Sequence, residues 1–64
     1  MNLYSGVIDE IYVDRGLPRA KVRVRSAVVH VPLFLLMNPR IGDRVLIEAG
    51  VAIAKVSENQ PEDV

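Results

Sequence analysis

Along most of this chain apolar and polar residues alternate every second position, the spacing of strands and not of helices. In the first segment Leu3, Val7, Ile11 and Val13 share one parity, and Tyr4, Ile8 and Tyr12 share the other. Apolar groups on both parities predict a strand covered on both sides. Asp14-Arg15-Gly16-Leu17-Pro18 interrupts the pattern with turn-forming residues. From Ala20 the alternation is clean. Ala20, Val22 and Val24 face one way, while Lys21, Arg23 and Arg25 face the other, as in a half-buried strand with a solvated basic face. Ser26-Ala27 reads as a tight turn or a bulge, after which Val28, Val29 and Val31 resume an apolar strand around His30. Pro32 ends it. Leu33-Phe34-Leu35-Leu36-Met37 is too short for an independent helix and predicts one helical turn plugging the end of a barrel. Asn38-Pro39 closes that turn, because the residue before proline is driven out of the helical region. Ile41-Gly42-Asp43 turns into a fourth strand at 44–48, with Val45 and Ile47 on one face. Ala49-Gly50 reverses the chain into a fifth strand at 51–56.

Five short strands and one helical turn in 64 residues predict an all-β fold, a small five-stranded barrel that is OB-like or SH3-like. Residues 1–56 form the barrel domain, and the polar residues 57–64, with Pro61 and three acids, form a fraying tail. Such a short chain buries only about 60% of its unfolded surface, so its stability margin is thin. Half the residues are apolar, which excludes a disordered segment.

The sequence contains no cysteine, which removes disulfides, thiolate zinc sites, iron–sulfur clusters and thiol nucleophiles from it. One histidine cannot build a multi-histidine metal site. No metal or cofactor is expected. Eight basic residues balance eight acidic ones, so net charge points to no polyanion. The longest apolar run, five residues at 33–37, falls far short of the ~20 needed to cross a bilayer. No basic stretch leads into an apolar N-terminal region, so no secretory signal is expected. The expectation is a soluble cytoplasmic protein without a membrane partner, and not an enzyme.

Candidate chemistry is sparse. Asp9 and Glu10 are neighbours in a strand and are expected on opposite faces, so they form no acid–base dyad. Asp43 is expected to fix its turn. His30, between two valines and without a second ligand near in sequence, reads as a half-exposed strand residue. Residues 15–25 hold five bases and no acids: Arg15, Arg19, Lys21, Arg23 and Arg25. A stripe of this kind can track phosphates on a single strand, discourage edge pairing, or steer an acidic protein partner. Tyr4, Tyr12 and Phe34 do not interleave with the bases, so stacking platforms are missing and nucleic acid ranks below a solvated face. The acidic tail, with Glu58, Glu62 and Asp63, offers a screen for this stripe. The apolar run at 33–37 cannot turn all its side chains inward, leaving Phe34 as a partner-binding ridge.

At Ile41-Gly42-Asp43-Arg44-Val45-Leu46-Ile47-Glu48-Ala49-Gly50-Val51-Ala52-Ile53 the chain resembles the glycine-aspartate hairpin of the HypC/HupF family of nickel–iron hydrogenase maturation chaperones. Gly6-Val7-Ile8-Asp9-Glu10-Ile11 resembles that family's first strand, and Ala20-Lys21-Val22 its second. The segment 29–36 is similar to its third strand and the short apolar stretch before the hairpin. The resemblance implies an OB-like barrel. It also implies docking to a hydrogenase large-subunit precursor or a HypD-like scaffold. In that family a cysteine after the initiator is implied to hold iron carrying cyanide and carbon monoxide. Asn2 stands there in this chain, and Glu48 stands at the family's hairpin histidine. An amide cannot replace a thiolate as a soft anionic ligand.

The reading is therefore a protein-binding chaperone, or a diverged paralogue, that docks a client without cysteine-borne iron. Its contact residues are Met1, Asn2, Leu3, Tyr4, Glu48 and Phe34. Arg19, Lys21, Arg23 and Arg25 supply electrostatic steering. The rival readings are an OB-type binder of single-stranded nucleic acid and a structural subunit that self-associates.

Overall fold

The computed structural model describes residues 3–56. They form five strands: β1 (Leu3–Asp14), β2 (Leu17–Val24), β3 (Ala27–Pro32), β4 (Arg44–Glu48) and β5 (Val51–Val56). All neighbours pair antiparallel, in the order β3-β2-β1-β4-β5. No helix occurs among the described residues. The predicted tail at 57–64 lies outside them.

Two tight reversals follow from residues that accept positive φ. Arg15 (φ 55) with Gly16 (φ 80), and Ala49 (φ 53) with Gly50 (φ 79), place both central residues in the left-handed region. That geometry matches the twist of the strands it joins. The first strand therefore runs on to Asp14, and β2 starts at Leu17, three residues earlier than the alternation predicts. Arg25 (φ 57) and Ser26 make the tight turn from β2 to β3.

β1 organises the sheet. Its first half pairs with β4, from Leu3 opposite Glu48 to Val7 opposite Arg44. Its second half pairs with β2, from Val7 opposite Arg23 to Asp14 opposite Leu17. Gly6 sits where the strand passes from one partner to the other. A Cβ there would lie 2.6 Å from Val22 Cγ1 and 2.7 Å from both Arg23 O and Val24 Cγ2. The β1–β2 register slips by one residue between Ile8 and Glu10, leaving Asp9 as an extra residue on β1. That bulge explains why both parities of β1 are apolar. Gly6 and Ile8 are buried before it, and Ile11, of opposite parity, packs against the core after it. The predicted cover on both faces is replaced by one inner face whose parity switches.

The core consists of Ile8, Ala20, Val22, Val31, Leu33, Val45, Ile47 and Ala52. Ile11, Val24, Val29 and Leu36 pack against it. The edge strands β3 and β5 come into contact, but no ladder of hydrogen bonds joins them. The sheet is thus curled and not closed into the predicted barrel.

The eleven residues between β3 and β4 carry the chain from one edge of the sheet to the far flank of β1. The predicted helical turn is a single reversal, with Leu36 N–H donating to Leu33 O at 2.9 Å. Asn38 (φ 50), immediately before Pro39, blocks any helical continuation. Leu33 is the plug. It is 1% exposed, and its N–H donates to Pro18 O at 3.0 Å, which extends the β2–β3 pairing. The loop ends on β1, where Gly42 N–H donates to Ile8 O and Ile8 N–H to Asp43 O, each at 2.9 Å.

Candidate functional site

Register places the contact residues named from the sequence. Leu3, the first residue of β1, lies directly opposite Glu48, the last of β4, and Tyr4 lies opposite Ile47. Leu3 is exposed, Tyr4 is at the edge of exposure, and Glu48 is half-buried. Glu48 is also opposite Val51 across the β4–β5 turn. The start of β1 and the tip of the hairpin therefore form one row, although 45 positions separate Leu3 from Glu48 in the chain. Met1 and Asn2 lie outside the described residues.

Phe34 does not belong to this row. It follows Leu33, which is anchored to Pro18, and Pro18 pairs with Val13 near the opposite end of β1. It is 60% exposed and shares its loop with Leu35, Met37 and Ile41, which are also exposed. The structure thus divides the four described contact residues between two places, with Leu3, Tyr4 and Glu48 at one and Phe34 at the other.

The loop carrying Phe34 is held by charge. Asp43 Oδ2 accepts the Arg40 N–H at 2.8 Å and lies 3.2 Å from Lys55 Nζ on β5. Lys55 Nζ also donates to Asn38 O at 2.7 Å. The Arg40 N–H, reinforced by the Lys55 ammonium, holds the Asp43 carboxyl below its ordinary value against a smaller opposing effect of burial. Asp43 fixes its turn, as the sequence predicts. Lys55, which the sequence did not single out, ties that turn to the last strand.

The basic stripe is less free than its sequence suggests. Lys21 Nζ lies 3.3 Å from Glu10 Oε1, and Arg23 Nη2 lies 2.5 Å from Asp9 Oδ1. Arg19 Nη2 donates to His30 O at 3.4 Å, a long contact. Arg25 sits in the β2–β3 turn and not on the strand face. The bulge at Asp9 explains both ion pairs. It breaks the alternation that would send Asp9 and Glu10 to opposite faces, so both side chains are exposed and reach bases on β2. The counter-charge for the stripe comes from β1. Exposed pairs of this kind contribute about 0–1 kcal/mol each. His30 Nδ1 is 2.8 Å from Tyr12 Oη, and the two rings meet edge to face with centroids 5.9 Å apart.

A surface groove of about 540 Å³ opens where β1 changes partners. Ser5, Gly6, Val7, Arg23, Arg25 and Arg44 line it. Reading the sequence missed Arg44, since nothing local to residue 44 reveals that Val7 brings it into line with Arg23.

The fold and these surfaces define a small antiparallel β-domain whose outer features are apolar side chains at two places and paired charges between them. A model of the HupF/HypC family matches residues 5–64, and the chain belongs to that family. Members of that family are chaperones of hydrogenase maturation rather than enzymes. The match includes Glu48 and the whole hairpin and begins after Tyr4. Comparison with curated proteins and with solved structures gave no match. Among the described residues no helix is long and apolar enough to cross a membrane.

Proposed function

We propose that this chain is a hydrogenase-assembly chaperone that works by holding a protein client and does not carry iron on a thiolate. The working surface is the end of the sheet where β1 begins and the hairpin turns, with Leu3 and Glu48 on one face and Tyr4 on the other, together with Met1 and Asn2, which precede β1 in the sequence. The observation that carries this reading is the direct pairing of Leu3 with Glu48. It supports bringing together the two ends of the chain's family resemblance, the N-terminal strand and the glycine-aspartate hairpin.

The donors at those positions are the Asn2 amide and the Glu48 carboxylate. Oxygen donors suit hard cations, whereas iron bearing cyanide and carbon monoxide calls for a soft thiolate. The chemistry left at this end of the sheet is contact. Leu3 gives exposed apolar area to bury, and Tyr4 gives an amphipathic side chain of the kind enriched at interface centres. The client is a hydrogenase large-subunit precursor or a HypD-like scaffold, met in the cytoplasm. The contact between the edges of β3 and β5 supports an OB-like half-barrel as the rigid support for this surface.

Leu3→Asp tests the proposal in a pull-down with a hydrogenase large-subunit precursor. Leu3 is 52% exposed, so the variant folds, and capture falls by about tenfold or more if Leu3 is an interface anchor. Capture equal to that of the unaltered chain removes this end of the sheet as the docking site.

A further inference from the structure

Net charge is zero, yet topology gathers cations at one place. Val7 is the only residue of β1 paired on both sides, with Arg23 on β2 and Arg44 on β4. Laterally paired residues share a face, so Arg23, Val7 and Arg44 form one row across three strands. Adjacent strands lie about 4.8 Å apart, which sets the two arginine backbones roughly 10 Å from each other. Arg25, two residues beyond Arg23, reaches the same groove from the β2–β3 turn. The lining holds three guanidinium groups, the Ser5 hydroxyl and no carboxylate. Asp9 engages Arg23 from outside the lining. Arg25 makes no ion pair with a described carboxylate. The residue between Arg23 and Arg44 is Val7, so the floor between the arginines includes its apolar body.

Guanidinium groups present a planar fork that matches a carboxylate with two parallel hydrogen bonds. Arginines whose backbones lie about 10 Å apart can reach carboxylates about three residues apart on an extended peptide, which advances about 3.3 Å per residue. No aromatic side chain lines the groove, so it lacks the stacking platform that a nucleic-acid strand uses. Ser5 and Val7 also share the outward parity of Leu3, which makes the groove continuous with the row that ends at Glu48.

We propose that the groove lined by Ser5, Val7, Arg23, Arg25 and Arg44 binds an extended acidic segment of the client protein through its carboxylates. This inference deepens the client-docking reading and rests on it, adding the chemistry of the partner.

The test uses the full chain and a fluorescein-labelled peptide of alternating glutamate and serine. Anisotropy at low ionic strength should report binding that weakens as salt is added. Amide resonances of Ser5, Val7, Arg23, Arg25 and Arg44 should move together. Arg25→Ala with Arg44→Ala should weaken binding by about tenfold or more. Arg25→Lys, which keeps charge but loses the fork, should fall between the two. Val13→Ser, exposed near the far end of β1, should leave peptide binding intact, and peptide binding is scored apart from precursor capture, so failure of the anchor and failure of the groove are told apart. No binding by the unaltered chain overturns the inference, as does equal binding by the alanine variant. Tighter binding of a single-stranded oligonucleotide of the same charge also overturns it. So does movement of the groove resonances on Glu58→Gln, Glu62→Gln and Asp63→Asn without peptide, because the chain's own acids would then be the occupant.

Discussion

Asp43 shows how one side chain can hold a loop. It is a half-buried carboxylate that accepts the Arg40 N–H and faces Lys55 across the turn. Its pKa in the folded chain is lowered, first by that N–H and then by Lys55. The group is therefore more acidic folded than unfolded. Its contribution to stability is complete above the ordinary aspartate range and is lost as pH falls through the lowered value. Asp43→Asn should destabilise the chain at neutral pH, and the difference from the unaltered chain should shrink on acidification below that range. Urea midpoints measured for both chains across this interval check it. A difference that stays constant with pH would mean that Asp43 acts by hydrogen bonding without its charge. At the same scale, Ala49 and Arg15 occupy the left-handed region without being glycine, at a cost of about 1–2 kcal/mol each. The tight hairpins require it.

At the scale of the element, β1 carries the most constraint. It serves two partner strands, contains the only bulge of the β1–β2 pairing, and places Gly6 against β2 at the changeover. Two of the three atoms that a Cβ at Gly6 would meet are methyls of Val22 and Val24, and the third is a backbone oxygen. The oxygen cannot move aside without breaking the pairing. Gly6→Ala should lower stability by about 1–3 kcal/mol, the usual cost of overpacking. A thermal melt measures it, and an unchanged melting temperature would mean that β1 and β2 separate more easily at this point than their spacing indicates. The same element explains the two acidic residues. A strict strand would send Asp9 and Glu10 apart. The bulge instead turns both towards bases on β2, and the apparent excess of positive charge at 15–25 is reduced where it is densest.

The whole molecule has two separate outward features. One is the β1–hairpin row with the arginine groove beside it. The other is the apolar loop with Phe34, Leu35, Met37 and Ile41, between 54% and 82% exposed. Self-association through this loop is the structural-subunit reading. Phe34→Ser with Met37→Ser should leave stability within about 0.5 kcal/mol, because neither side chain is buried. Light scattering over a range of concentrations then separates the cases. If the loop joins copies, the unaltered chain gains mass with concentration and the double variant stays a monomer. A concentration-independent monomer for both removes self-association.

Much of this protein was legible along the chain. Period-two alternation identified an all-β fold, and β4 and β5 begin and end where the pattern predicts. The hairpin string carried the resemblance that family membership bears out over residues 5–64. Asp43 was readable as a turn residue, since its partner Arg40 is three positions away and such local bonds depend on short-range geometry. What pairing decides was not legible. The bulge at Asp9, the alignment of Arg23 with Arg44 through Val7, the meeting of Leu3 with Glu48 and the separation of Phe34 from them all depend on register between distant segments. A shift of one residue exchanges the two faces of a strand, so residue types along the chain cannot reveal which side chains become neighbours. The sequence by itself determined the strand character, the absence of thiol chemistry in these residues and the family. Tertiary structure decided which charges meet, because antiparallel hydrogen bonding fixes lateral partners that no local spacing encodes.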